Sequence, residues 1–253
     1  MKLRDIFNNQ KSYFKWRLEK VKRLKKRFPQ LFDISKKKVL DIGCGAQAPL
    51  CSFLSKIKKA KVFAGDIEHS SVVSAKKIAK KAIISKFSAE KLPFKDKYFD
   101  IVFLLDVLEH VKDPVKTIKE AKRVTKDKGL IFIEFSPYYA YPTGHHLYAL
   151  GFPKGFLPFQ LLPLSITKYI VLNSTLPIKN LPQHLFNQFK DLNKIGVRQF
   201  KKIIQAMKLL TLDERYCIVL PQKEIEINFI SKLPILNEII TMSYSGIFKK
   251  AEF

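Results

Sequence analysis

The sequence predicts an α/β fold built on a doubly wound, mainly parallel sheet, and three observations carry that prediction. Short apolar runs alternate with amphipathic stretches of helical period from Lys38 onward. A turn holding two glycines, Gly43 and Gly45, follows the first apolar run directly. An aspartate, Asp66, closes the second run, 25 positions beyond Asp41. With 253 residues, 47 % of them hydrophobic, the chain can bury one sizeable core.

The elements follow in order. Residues 12–28 form an amphipathic helix in which Phe14, Leu18, Val21 and Phe28 recur at helical spacing and Lys15, Arg17, Lys22, Lys25 and Lys26 fill the remainder. It reads either as a lid docked by its apolar stripe or as an arm for a membrane or RNA, and Pro29 stops it. KKVLDIG (37–43) is a strand, 48–57 a helix, AKVFAGDI (60–67) a strand, 71–81 a helix and AIIS (82–85) a short strand. YFDIVFLLDVL (98–108) is the fourth strand. A helix over 114–125 is entered at Asp113 and Pro114, and GLIFIEFS (129–136) is the fifth strand. Residues 137–195 break the alternation and hold seven of the 13 prolines, as an inserted lid or substrate pocket would. A helix over 196–209 and strands within 210–220 and 241–253 complete the chain. The domain plan is therefore a basic helix (1–35), a ligand-binding core (36–136), an insert (137–195) and the last elements of the core (196–253).

Composition limits the function. The formal charge of +25 attracts anions such as nucleic acid, acidic lipid or a phosphorylated substrate, although lysines scattered over every helix also read as a solvated surface. Three cysteines, Cys44, Cys51 and Cys217, supply neither a disulfide framework nor clustered zinc ligands, so a reducing compartment and no metal are expected. The N-terminus has no signal-peptide pattern, and the nearest approach to a membrane span, the uncharged run 155–167, is interrupted by Pro158 and Pro163 and too short to cross a bilayer. A cytoplasmic location, with peripheral membrane contact as an option, follows.

A glycine turn lets backbone close on a ligand, and a carboxylate ending the second strand binds ribose hydroxyls, so a nucleoside-containing cofactor is indicated. The dinucleotide fingerprint lacks its third glycine, since Gly43-Cys44-Gly45-Ala46-Gln47-Ala48 stands there, and Asp41 would repel a pyrophosphate. A cationic sulfonium suits that acid better.

Four ordered blocks, VLDIGCG (39–45), AGDIEHSSV (64–72), SAEKLPFKDKYFDIVFLLDVLEHVKDP (88–114) and GLIFIEFSPYY (129–139), resemble the class I S-adenosylmethionine (SAM)-dependent methyltransferases over about residues 36–136. The resemblance implies a seven-stranded Rossmann-like sheet with an antiparallel last hairpin, SAM as cofactor and S-adenosylhomocysteine as product. It places Asp41, Gly43, Cys44 and Gly45 at the methionine end of SAM, Asp66 on the ribose and Ile67 beside the adenine. Ser88, Ala89 and Glu90 fall on the loop flanking the adenine, and Asp106 near the methionyl group. Two positions depart from the family: Gln47 replaces the last glycine of the turn, and Ser88 stands where an aspartate is usual. Phe94 and Phe99 are expected in the core.

Methyl transfer to a hydroxyl needs a base, and His145, His146 and His110 are the candidates, with Tyr138, Tyr139, Tyr141 and Tyr148 around the first two. The stretch SPYYAYPTGHHLY resembles methyltransferases of glycan and surface-polymer synthesis, which implies O-methylation of a small molecule or glycan, including lipid-linked precursors. An RNA or protein methyltransferase, and a non-catalytic module docking on an anionic membrane, are the alternatives.

Overall fold

The computed structural model describes residues 10–150, 154–174, 181–219 and 224–251. The described strands form one eight-stranded sheet in the order β3-β2-β1-β4-β5-β8-β6-β7. These are β1 (Lys38–Ile42), β2 (Lys61–Asp66), β3 (Ile83–Lys86), β4 (Phe99–Leu105), β5 (Thr125–Phe135), β6 (Leu209–Val219), β7 (Glu224–Glu226) and β8 (Ser243–Lys250). β1 pairs in parallel with β2 on one side and β4 on the other, β2 with β3, and β4 with β5. The sheet therefore has eight strands rather than seven. The additional one, β7, is a three-residue edge strand antiparallel to β6, too short and too charged to show a strand period.

The helices in chain order are α1 (Gln10–Arg27), α2 (Pro49–Leu54), α3 (His69–Ile78), α4 (Pro114–Val124), α5 (Leu164–Leu172), α6 (Leu181–Asp191), α7 (Val197–Ala206) and α8 (Pro234–Ile240). α2 is shorter than 48–57 because Pro49 opens it, Ala48 before it takes a left-handed conformation, and tight turns replace it after Leu54. α4 begins as its sequence announces: the Asp113 carboxylate accepts from the Lys116 amide and Pro114 occupies the first turn.

The chain forms two compact units. The core unit takes Phe14–Phe135, Ile203–Glu214 and Ser245–Phe253; the insert unit takes Met1–Tyr13, Ser136–Lys202 and Arg215–Tyr244. In the core unit, β1 and β4 lie centrally and are buried almost throughout, as parallel strands covered on both faces must be. α1 packs here through Val21, Leu24 and Phe28, with the Phe28 ring 5.4 Å from that of Phe132. Phe94 and Phe99 meet edge to face at 4.9 Å within a phenylalanine cluster that includes Phe63. The insert unit has its own core, in which Tyr138, Leu147, Phe159, Val171, Phe186 and Phe189 pack together.

Candidate functional site

Sheet order reverses between β1, which runs on to β2 at one side, and β4 at the other. The crevice beyond the carboxyl ends of these strands is where doubly wound sheets bind ligands. The Gly43 and Cys44 amides donate to the Gly65 carbonyl at 2.8 and 3.0 Å, folding the turn after β1 over the end of β2. Both glycines have positive φ, +70° and +66°, which a side chain would strain. They differ in surroundings: a Cβ on Gly43 would stand 2.4 Å from the Val107 side chain, whereas one on Gly45 would meet nothing within 4 Å. Gly43 thus serves packing, while Gly45 lines open space. The Cys44 thiol is buried in the core cluster, which pushes its pKa up, and its amide is already bonded. It holds the turn's shape from within.

Asp66 ends β2 with its carboxylate fixed by two amides, Gly45 at 3.0 Å and Glu68 at 3.0 Å. Beside it Ile67 is 61 % exposed, an apolar side chain held out at a strand end where a flat ring could lie on it. The Ser88 hydroxyl accepts from the Glu90 amide and so shapes its own turn. The Glu90 carboxylate reaches away, accepting from the amides of Lys112 (2.9 Å) and Asp113 (3.1 Å) ahead of α4. Of that loop, Ser88 and Ala89 remain half-exposed for a ligand.

At the opposite end of the crevice lie the charges. Asp41 is buried, with Oδ2 lacking any hydrogen-bond partner; burial, against the pull of the Arg17 charge, raises its pKa to about 7. Asp106, at positive φ after β4, accepts from the Arg17 guanidinium and from Lys20 Nζ at 2.7 and 2.8 Å. Lys20 Nζ also lies 2.6 Å from Glu134 Oε1 at the end of β5. Burial disfavours each of these charges, but mutual attraction wins: the Asp106 carboxyl is held well below the usual range, and the Lys20 ammonium well above it. α1 therefore places two cations among the strand ends. Sequence reasoning treated Arg17 as part of a solvated basic face and passed over Lys20. The available signal was register, since positions 17, 20, 21, 24 and 28 share one helical stripe with the buried Val21, Leu24 and Phe28.

Of the proposed bases, His110 lies in the core unit and is exposed. His145 and His146 lie in the insert unit and differ sharply. His145 is wholly buried against Phe159, and burial lowers its pKa to about 4. Its Nδ1 accepts from the Leu147 amide, so the neutral ring carries its proton on Nε2 and cannot take up another there. His146 keeps partial solvent access at positive φ. Tyr138 is buried, Tyr139 and Tyr141 are exposed, and the side chain of Tyr148 lies outside the described residues.

Three features fit SAM: a buried carboxylate oxygen without a partner at the methionine end, a glycine facing open space, and an exposed apolar residue beside the ribose-binding aspartate. Fold and site together have the layout that class I SAM-dependent methyltransferases use for SAM. Residues 40–133 match the family model described as a methyltransferase domain. The chain is similar to the ubiquinone biosynthesis O-methyltransferase of Bartonella bacilliformis, 34 % identical over 100 residues, which cover 38 % of this chain and 40 % of that one. It is also similar to the ubiquinone/menaquinone biosynthesis C-methyltransferase of Vibrio vulnificus, 35 % identical over 108 residues, 39 % of this chain and 41 % of that one. The chain spans less than half the length of either relative. A crystal structure from Pyrococcus horikoshii shares the fold, with a TM-score of 0.58 at 18 % identity, covering 96 % of this chain and 93 % of that one.

Proposed function

We propose that the protein transfers a methyl group from SAM to a hydroxyl of a small-molecule or glycan acceptor, partly apolar, of which a lipid-linked precursor is one kind. The observation that carries the donor half is the unpartnered, buried Asp41 carboxylate beneath an open glycine turn. SAM supplies a methyl group activated by a sulfonium leaving group. Asp66 holds the ribose hydroxyls, Ile67 supports the adenine, and Asp41 accepts from the methionyl ammonium. Arg17, already at Asp106 and acting on Asp41, supplies the countercharge for the methionyl carboxylate. With the donor so fixed, catalysis is chiefly alignment, and a base removes the acceptor's proton. His146 is the better base of the adjacent pair, because His145 already spends Nδ1 on the Leu147 amide. The apolar and aromatic make-up of the insert supports an acceptor that is itself partly apolar.

Calorimetric titration with SAM and S-adenosylhomocysteine tests the donor half. The expectation is saturable binding that Asp66→Asn weakens about tenfold or more, since Asn offers one acceptor where the carboxylate has two. No binding to the unaltered protein refutes it. Labelled-methyl transfer to glycan, lipid-linked and RNA acceptors tests the other half. His146→Ala is expected to abolish turnover with SAM affinity retained, and unchanged turnover removes the base.

A further inference from the structure

The insert unit carries two helices that bury polar side chains while leaving large apolar ones in water. In α8 the polar residues face inward: Asn237 is buried and bonded to Thr241 at 2.9 Å, and the Glu238 carboxylate accepts from the Val197 (3.0 Å) and Arg198 (2.5 Å) amides that open α7. Its apolar residues face out, with Ile235 77 % exposed and Leu236 and Ile239 exposed beside it. α5 buries both Thr167 and Val171, yet leaves Leu164 and Tyr169 exposed, Tyr169 by 71 %. The usual arrangement puts the apolar stripe on the core and the polar side in water.

Hydrogen bonds tie together the segments that carry these residues. The Tyr141 amide donates to the Ile239 carbonyl at 2.8 Å, and its hydroxyl to the Phe156 carbonyl at 2.7 Å. Gln160, just before the exposed Leu161 and four residues ahead of α5, donates to the Tyr138 and Ala140 carbonyls at 3.2 Å. The insert unit thus exposes many large apolar side chains, Tyr141, Leu161, Leu164, Tyr169, Ile235 and Leu236 among them, a larger number than isolated surface residues make.

We infer that this face of the insert unit docks on an anionic lipid bilayer, with Leu161, Leu164, Tyr169, Ile235 and Leu236 entering the boundary between headgroups and acyl chains. Charge selects this occupant. From Phe135 to Lys190, the stretch that carries α5, the chain holds no acidic residue and exposes Lys154 and Lys168; Lys232, also exposed, precedes α8. Lysine without a countercharge repels a second copy of the same face, whereas anionic headgroups neutralise it. Apolar insertion flanked by lysine is the combination that holds peripheral proteins at such a surface. The inference stands apart from the identity of the methyl acceptor.

The test is co-sedimentation of the full chain with vesicles of phosphatidylcholine alone and with about a third phosphatidylglycerol. Binding to the anionic vesicles is expected, weaker to the neutral ones, and Tyr169→Asp with Ile235→Asp should lower it at least about tenfold with the melting temperature unchanged. Tyr169→Ser alone, which adds no charge, should lower it less and in the same direction. Absence of wild-type binding, or equal binding by the variants, overturns the inference. So does a wild-type dimer that the double variant converts to monomer with no vesicle binding, which would make this face a contact between copies.

Discussion

At Asp41 the demands of folding and binding oppose each other. Its carboxyl titrates at about 7 against an ordinary 3.8, so its contribution to stability is complete below about pH 4 and is lost as pH rises through 7. Asp41→Asn is therefore expected to raise the melting temperature of the ligand-free protein at pH 8 by several degrees while weakening SAM binding at least about tenfold. Scanning calorimetry and titration on the same sample check both signs, and a fall in both would mean that the carboxylate is needed by the scaffold itself. The two glycines separate in the same way. Gly43→Ala meets Val107 as well as a forbidden φ and should cost about 2 to 4 kcal/mol, partly recovered by Val107→Ala. Gly45→Ala has only the backbone strain, about 1 kcal/mol, yet fills the space facing the ligand and should weaken SAM binding further than its stability loss explains. These residues were legible because residue type and position both speak: glycine where φ is positive, acid where a strand ends. The reach of Glu90 to the amides of residues 112 and 113 was not, because a side chain's direction leaves no trace in spacing.

Among the elements, α1 is the one whose role changes most once its neighbours are known. Its apolar stripe announced a docked helix, but cations within that stripe acquire meaning only from Asp106 and Glu134, which lie far along the chain. Lys20→Met keeps the length of the side chain and removes the buried ammonium that faces both Asp106 and Glu134, a loss of about 3 to 5 kcal/mol. The same pairing has an acid limb: the Asp106 pKa is lowered, so its contribution is present above about pH 4 and disappears as pH falls below that. Melting temperature should accordingly drop on the acid side in the wild type and change less in Lys20→Met. A parallel acid profile in the two proteins would show that other carboxylates govern that limb. Element ends departed from expectation where local turns intervene. β5 starts at Thr125, four residues before the apolar run, and its register with β4 shifts between Phe99 and Ile101. The Lys126 ammonium pairs with Asp100 across these strands at 2.6 Å, which keeps a polar stretch in the sheet.

For the molecule as a whole, alternating period and one glycine turn were enough to foretell a parallel sheet with its ligand at the strand ends. The break in that alternation marked an insert at 137–195 but not which side chains the helices of the insert unit bury and expose: Thr167 and Asn237 are buried, Tyr169 and Ile235 exposed. The net charge of +25 acts at this scale too: self-repulsion strains the folded state, so added salt at neutral pH should raise the melting temperature by a few degrees, read by calorimetry between about 50 and 300 mM. A fall would place the balance with the internal ion pairs instead. The attachment of α1 has one more consequence, for the order of events in folding. Its anchors, Phe132 for packing and Glu134 for charge, belong to the last parallel strand of the core unit, more than a hundred positions later. The helix can form early but has nowhere to settle until β5 is in place, so closure of the cofactor site waits on the slowest kind of contact, one that joins distant parts of the chain.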